Sequence, residues 1–368
     1  MNDMLIIFVF LLIPGFISMI FIPYWTRKTE SFGVSIPEDV YNRQDLKTMR
    51  KQYSMLTGIL GLLITVIFLM ISSILTNSES VISILFSVTI FVFLVGSFLI
   101  YLKFHSDMKK LKEKENWAKE KSQQIFIDTK FRNQKLTHSN LWFLLSFLIS
   151  IATIVITLQA YQDIPQRIPM QYNFEGEVTN WEEKSYRTLL INPIMQMYLT
   201  LLFLFINKMI GYAKQQIDPE NPQDSIRRNV IFRKRWSAYI ILSGLALTLM
   251  FSLIQLSFIF PINQQFLTLI PLLITIGLIG GAIGLSMTTG QGGSRVKSTG
   301  GISGNVINQD DDKHWKLGQF YVNKDDPSLF LEKRFGVGWT INFARPLAWI
   351  ILLTIIGLAV GIPLLLGL

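Results

Sequence analysis

The sequence between residues 55 and 102 reads MLTGILGLLITVIFLMISSIL (55–75), TNSES (76–80) and VISILFSVTIFVFLVGSFLIYL (81–102). Each of the two longer stretches can cross a bilayer as an α-helix, since about 20 apolar residues span its roughly 30 Å hydrocarbon core. Neither stretch carries a charged side chain. Because only five polar residues separate them, the pattern predicts a tight pair of transmembrane helices.

Six further stretches have the same length and apolar character, so the sequence predicts an all-α polytopic membrane protein. We interpret the first stretch as a retained span, because it lacks a basic leading region and a small-residue cleavage site. The third span is followed by a run of charges that predicts a helical extension over residues 103–135. The eight predicted spans are residues 4–23, 55–75, 81–102, 141–158, 189–206, 238–260, 267–288 and 347–366.

The composition supports a membrane protein and excludes several kinds of site. Half of the residues are hydrophobic and only 16% are charged, against about a quarter charged in soluble domains. The chain has no cysteine and three histidines, which excludes disulfides and thiolate metal sites and leaves little material for a zinc site. We therefore predict no metal and no cofactor.

The distribution of lysine and arginine predicts the orientation. The loops at 24–54, 103–140, 207–237 and 289–346 contain 31 of the 34 basic residues. Basic loops stay in the cytosol, so we predict that both termini face outward. On this topology the inner segments carry a net charge of +13 and the outer ones −4, which together give the overall +9. The charge thus reflects topology and lipid contact, and we expect no direct binding of nucleic acid.

The spans and loops divide the chain into four predicted regions. Residues 1–140 form an N-terminal three-span region with basic cytosolic loops, and residues 141–289 form a four-span core with a structured outer loop at 159–188. Residues 290–346 form a small cytosolic domain that contains β-strands. Residues 347–368 form the final transmembrane helix.

The outer loop has the composition of an ordered segment. Pro165 and Pro169 restrict the backbone to extended conformations, and Gly176 permits a turn between two glutamates. Asn173, Glu175 and Glu177 alternate, so they would project from one face of a strand and could hold a hard cation or a basic ligand. The alternative interpretation is a lid that closes the outer mouth of the bundle.

This loop resembles a known family. Its two Ile-Pro pairs, Asn-x-x-Gly-Glu, Trp and Lys resemble the domain of unknown function in SdpI-type immunity proteins, although Gln171 stands where that family often has a histidine. These polytopic proteins of Gram-positive bacteria protect a producing cell from its own peptide toxin, and some hold a repressor at the membrane. The resemblance implies a ligand site at Pro165, Pro169, Asn173, Gly176, Glu177, Trp181 and Lys184.

The segment at 290–346 carries a second set of candidate residues. Its aromatic runs, separated by turn residues, predict two or three short strands, and the segment resembles a small uncharacterised cytosolic domain of bacterial membrane proteins. We interpret Gly290, Gly292 and Gly293 as a flexible exit from the seventh span. The strands either pack on the membrane surface and the other loops or provide a docking site for a cytosolic regulator at Trp315, Tyr321, Asp325, Asp326 and Trp339.

Few polar side chains occur inside the predicted spans. Asn192 and Gln196 lie four residues apart on one helix face, and Gln255 lies in the sixth span. They either form hydrogen bonds between helices or line an intramembrane polar site. No span contains a carboxylate, which argues against a proton-driven pump.

The sequence favours a binding protein over an enzyme. Zincin, serine-hydrolase and Walker motifs are absent. We expect a multi-pass protein of the bacterial plasma membrane, surrounded by membrane lipids, that binds an extracellular peptide or antibiotic and signals to a cytosolic transcriptional regulator. The alternatives are a transporter or permease component and a structural subunit of a membrane complex.

Overall fold

The structure, a computed structural model, describes residues 2–74, 79–117, 122–124, 134–172, 177–217, 221–297, 306–308 and 311–366. Within these residues, eight helices are long and apolar enough to cross a membrane, which confirms the predicted all-α polytopic architecture. They are α1 (Asn2–Trp25), α2 (Gln44–Ile74), α3 (Glu79–Lys114), α4 (Phe143–Gln159), α5 (Tyr186–Tyr212), α6 (Pro222–Leu256), α7 (Gln264–Thr289) and α8 (Pro346–Leu366).

Several helices continue beyond the apolar stretch that predicts them. α2 and α6 begin well before their predicted spans, and α6 ends at Leu256 instead of residue 260. α3 extends to Lys114. The predicted charged helix is therefore shorter than expected, since residues 122–124 form a strand. Hydropathy detects the part of a helix that lies in lipid, whereas these extensions are polar.

Ten short strands form five two-stranded sheets in the described part of the chain. Four of these sheets are antiparallel, and the small β-containing insert before the last helix is confirmed. The strands are β1 (Glu30–Ser31), β2 (Val34–Ser35), β3 (Ser122–Gln124), β4 (Arg167–Tyr172), β5 (Val178–Glu183), β6 (Val306–Asn308), β7 (Trp315–Lys316), β8 (Phe320–Tyr321), β9 (Phe330–Glu332) and β10 (Trp339–Ile341).

The chain divides into two compact units, each built from segments distant in sequence. The first unit comprises Met1–Phe131, Lys214–Phe232 and Ile283–Ala344. The second comprises Arg132–Ala213, Arg233–Ala282 and Arg345–Leu368. The first unit thus combines the three N-terminal helices with the segment at 290–346.

Phe32 occupies the centre of the first unit's core. Its ring stacks on Phe104 of α3 at 5.3 Å and on Phe335 at 5.9 Å, and Tyr53 of α2 lies 5.5 Å away. Phe32 and Gly33 form the two-residue turn between β1 and β2, with φ of +47° and +77°. Positive φ at both positions is typical of a type I′ turn, one of the two common two-residue hairpin turns. Burial of the Phe32 side chain offsets the backbone strain of a non-glycine residue there.

In the second unit, α4 packs against α5, and a small apolar core lies at the end of the helices near hairpin β4–β5. This core consists of Ile164, Ile168, Leu189 and Phe258, with Met170 partly buried against it. Ile168 and Met170 come from the same face of β4. The hairpin is therefore attached to the helices through its apolar face.

The glycines after α7 do not form the flexible exit that we expected. Residues 291–293 form a 3-10 turn, and Gln291 is fully buried. Its side-chain amide donates to Gly338 O at 2.8 Å, and its oxygen accepts from Gly338 N at 2.7 Å. This pair of bonds makes the segment an ordered part of the first unit.

Candidate functional site

Hairpin β4–β5 forms the outer loop predicted to bind a ligand. Its strands pair antiparallel, with Arg167 opposite Glu183 and Pro169 opposite Trp181, and the register shifts after Pro169. In antiparallel strands, residues opposite each other lie on one face, and alternate residues share it. Arg167, Pro169, Trp181 and Glu183 therefore form one face, on the side opposite the buried Ile168.

That face is accessible and carries aromatic and acidic groups. The Trp181 side chain is 51% exposed. Glu183 on this face and Glu177 just before β5 are also exposed, and Glu182, which pairs with Ile168, is exposed on the other face. Trp181 and Glu177 are among the residues predicted from the sequence, whereas Glu182 and Glu183 are not, because their positions on β5 become apparent only from the strand register.

The remaining predicted residues of this loop have different positions. Pro165 is exposed before β4, and Pro169 is half-buried within it. Asn173 and Gly176 lie outside the described residues. The Lys184 ammonium donates to Ile164 O at 2.7 Å and to Tyr161 O at 3.1 Å, and it lies 5.0 Å from the Tyr161 ring. Lys184 thus ties the end of the hairpin to the turn after α4.

The hairpin continues into α5 through a capped joint. Ser185 precedes the helix, and its hydroxyl accepts from Thr188 N at 3.1 Å, which satisfies one of the free N–H groups at the helix start. The Thr188 hydroxyl donates back to Glu183 O at 3.1 Å. A displacement of β5 would therefore move the first turn of α5.

A ladder of polar side chains joins α4, α5 and α6. Asn192 donates to Gln255 Oε1 at 3.2 Å, and Gln255 donates to Thr157 at 3.2 Å. One helical turn further, Gln196 donates to Ser252 at 2.8 Å, and Thr153 lies 3.0 Å from the same hydroxyl. The structure thus brings the three predicted intramembrane residues together, and their side chains form hydrogen bonds between helices.

The hairpin and most of the ladder lie within one segment of sequence. Residues 148–197 match a domain of unknown function, DUF1648. This domain is known in SdpI-like proteins, so the resemblance of the outer loop is confirmed at the level of the domain. Residues 324–349 match a second family of unknown function, DUF5808. Neither a curated protein nor a solved structure matches the chain significantly.

The five predicted docking residues lie near or within the DUF5808 segment. Trp315 and Tyr321 are buried and pack together at 5.1 Å, and Trp339 lies 5.3 Å from Phe232. Asp325 is exposed. A docking role stays a prediction for these residues, and among them Asp325 is the one that offers an exposed side chain.

Asp326, the fifth docking residue, holds a hydrogen-bonded cluster together. Its Oδ2 accepts from Lys214 at 2.6 Å and from Tyr321 at 2.8 Å, and its Oδ1 accepts from Ser328 N at 2.9 Å. Burial disfavours ionisation of Asp326, but these hydrogen bonds outweigh it and lower the pKa to about 2. Burial also raises the pKa of Tyr321 to about 12.

The lowered pKa of Asp326 predicts an acid-sensitive contribution to stability. Because the folded-state pKa lies below the ordinary 3.8, the contribution is complete above that value and is lost as pH falls towards 2. We expect Asp326→Asn to lower the free energy of unfolding by about 1–2 kcal/mol at pH 6 and by much less near pH 2. Unfolding in detergent micelles at both pH values measures this. An equal loss at both would contradict the assignment.

Buried ion pairs hold the DUF5808 region within the first unit. Arg334 is almost fully buried and forms ion pairs with Asp311 and Asp312. Lys112 of α3 lies 2.7 Å from Asp312 and donates to Ser35 of β2 at 2.9 Å. The sequence does not indicate this network, because Ser35, Lys112 and Asp312 are far apart along the chain.

A cavity of about 460 Å³ lies beside this network, within the first unit. Glu30 contributes to its wall and is 6% exposed, and in the described part of the chain its Oε2 accepts no hydrogen bond. Burial raises the pKa of Glu30, although the nearby Arg27 and Arg334 oppose the shift. Tyr321, Asp325 and Asp326 also line the cavity. A basic group is the ligand that this carboxyl would accept best.

Proposed function

We propose that the protein is an immunity and sensing protein of the plasma membrane that binds a secreted cationic peptide or antibiotic at hairpin β4–β5. The observation that carries the proposal is the exposed aromatic and acidic face of this hairpin within the segment that matches DUF1648. Residues 159–188 contain more acidic than basic residues. Such a surface attracts cationic peptides.

The free edge of β5 supports an extended peptide as the ligand. β4 and β5 pair only with each other in the described structure, so each strand has one free edge. Pro165 and Pro169 remove backbone donors from the β4 side, and proline is a common means of blocking strand addition. β5 contains no proline. We infer that a peptide adds as a third strand beside β5, next to Trp181 and Glu182.

The joint between β5 and α5 supports transmission of ligand binding across the membrane. Peptide addition would hold β5 in place, and the Ser185 and Thr188 hydrogen bonds join this strand to α5. In our proposal, a cytosolic regulator responds through the Glu30 cavity, where Glu30 Oε2, which accepts no hydrogen bond from the described residues, supports recognition of a basic side chain.

Transport remains a second candidate because of one atom in the polar ladder. Gln196 is fully buried, and its Oε1 accepts no hydrogen bond from the described residues. A polar solute could donate to it. The side-chain NH2 groups of Asn192, Gln196 and Gln255 all donate to residues of neighbouring helices. These bonds support a packing role for the ladder, so we place sensing ahead of transport.

We expect Trp181→Ala to weaken peptide binding about thirtyfold, since an exposed aromatic anchor at the centre of an interface commonly contributes about 2 kcal/mol. The protein in phosphatidylcholine nanodiscs is titrated with a panel of fluorescent cationic amphipathic peptides and lipopeptide antibiotics. Trp142→Ala is the matched control, because Trp142 is 60% exposed at the opposite end of the α4 segment.

Two results would count against the proposal. One is equal affinity of both tryptophan variants for every peptide that binds. The other is a panel in which no peptide binds the protein more tightly than it binds empty nanodiscs. Expression of the protein in a peptide-sensitive bacterium provides the cellular readout, where the wild-type chain and Trp142→Ala should raise the inhibitory peptide concentration and Trp181→Ala should not.

A further inference from the structure

A second cavity, of about 820 Å³, lies in the second unit at the end of the helices opposite hairpin β4–β5. Its walls come from residues 134–141, from the last turn of α5 and from Lys234 of α6. Leu141 and Leu144 form an apolar side, and both are more than half exposed. The cavity therefore has a polar part and an apolar part.

The described charged residues that line this cavity are all positive. Lys135, Lys208 and Lys234 line it together with His138, and no carboxylate is among the described lining residues. All three lysines are exposed, and none forms an ion pair with another described residue. Elsewhere the described basic loops contain many paired charges, such as Arg334 with Asp311. Three unpaired lysines in one concave site attract an anion.

A buried set of hydrogen bonds between residues 138–140, α5 and α6 fixes the shape of the cavity. Asn207 of α5 and Ser237 of α6 are both fully buried. Ser237 donates to Asn207 at 2.6 Å and accepts from His138 N at 2.8 Å, while Asn207 donates to Asn140 Oδ1 at 2.8 Å. These bonds hold residues 138–140 against the two helices. The lysines are thus presented by a formed site and not by a free loop.

The surroundings of the cavity match the boundary between lipid and water. Trp142 is 60% exposed and Tyr212 is 82% exposed, and exposed tryptophan and tyrosine commonly lie at the level of the lipid headgroups. Leu141, Leu144 and Leu148 provide an exposed apolar surface beside them. An amphiphile could therefore place its charge among the lysines and its chain along these leucines.

We propose that this cavity binds the phosphate headgroup of an anionic phospholipid from the predicted cytosolic leaflet. A phospholipid headgroup and inorganic phosphate both present a phosphate anion to the lysines. The apolar wall of the cavity favours the lipid over free phosphate. Basic pockets between transmembrane helices on this side of a membrane are suited to such headgroups. The inference is independent of the peptide site, since it uses other residues at the other end of α5.

Retention of dioleoylphosphatidylglycerol by the full-length protein tests the proposal. The protein is purified in a neutral detergent and titrated with this lipid or with dioleoylphosphatidylcholine, and bound lipid is counted by native mass spectrometry. We expect one phosphatidylglycerol to bind tightly and phosphatidylcholine to bind weakly. The variant Lys135→Gln/Lys208→Gln/Lys234→Gln should bind phosphatidylglycerol about a hundredfold more weakly, because each lysine near an anionic headgroup contributes about a factor of five.

The control variant Lys47→Gln/Lys51→Gln/Lys110→Gln makes the same change in net charge at exposed lysines of α2 and α3. It should retain wild-type affinity. Equal loss in both triple variants, or no loss in the cavity variant, would overturn the proposal. If the triple cavity variant does not fold, Lys208→Gln alone should bind about fivefold more weakly, and unchanged binding by this variant would overturn it too.

Competition with inorganic phosphate distinguishes the two sources of the anion. A lipid site should keep its phosphatidylglycerol in millimolar phosphate, since phosphate cannot replace the contacts of the acyl chain. Displacement of the lipid by phosphate at that concentration would show that the cavity takes a free anion, and it would overturn the assignment to a lipid.

Discussion

Replacing Glu332 by alanine is expected to lower the free energy of unfolding by about 3–5 kcal/mol, because it leaves a buried arginine without its counter-charge. Glu332 of β9 is fully buried and forms an ion pair with Arg27, which is itself almost fully buried. Glu332 also accepts from Asn229 of α6 at 2.8 Å. The substitution therefore removes contacts to two distant segments of the first unit.

The measurement is unfolding in mixed detergent micelles, followed by tryptophan fluorescence. Glu332→Gln keeps a hydrogen-bonding oxygen for Asn229 but loses the charge, so its stability should lie between the wild type and Glu332→Ala. Asp325→Ala, which changes an exposed carboxylate in the same region, should alter the free energy of unfolding by less than about 0.5 kcal/mol. Similar losses in Glu332→Ala and Asp325→Ala would contradict the assigned ion pair.

Gly33→Ala is expected to destabilise the protein by about 2–5 kcal/mol, from backbone strain and steric overlap together. Gly33 has a φ of +77°, where an L-residue is strained. A Cβ atom there would lie 2.5 Å from Gly318 O and 2.5 Å from the Tyr101 hydroxyl. Since one of these neighbours is backbone, a side-chain rotation cannot relieve the overlap.

The same unfolding measurement tests Gly33→Ala, with Gly357→Ala as the control. Gly357 lies in α8 and a Cβ there would have no neighbour within 4 Å. Alanine is preferred to glycine in a helix by about 1 kcal/mol, so the control should be neutral or slightly stabilised. A neutral result for Gly33→Ala would mean that the turns at 32–33 and 317–318 do not meet as described.

The positions of the transmembrane helices along the chain were predictable because hydropathy is a local property of the sequence. Each predicted span coincides with one of the helices α1 to α8. Outside the lipid, the sequence signal was weaker. The prolines at 165 and 169 indicated an extended outer loop, but the pairing of Pro169 with Trp181, which defines the exposed face, depends on a register that composition does not determine.

Sites formed by distant residues were not predictable from one sequence. Phe32 lies in the loop at 24–54, which the sequence assigned only to the cytosolic side, yet it is the centre of the first unit's core because α2, α3 and residue 335 converge on it. Likewise, Lys135 belongs to the basic loop at 103–140, whereas Lys208 and Lys234 belong to opposite ends of the loop at 207–237, and a count of charges assigned them only a side of the membrane. Their common cavity follows from the packing of three helices.

The discontinuity of the first unit has a consequence for biosynthesis. Phe335 completes the core around Phe32, and Arg334 forms ion pairs with Asp311 and Asp312. Both residues leave the ribosome some three hundred residues after Phe32. Until then, the aromatic cluster of Phe32, Tyr53 and Phe104 lacks its contact with Phe335 and stays partly uncovered. Nascent chains that stall before this point would expose it, and they are the species that membrane chaperones and quality-control proteases would recognise.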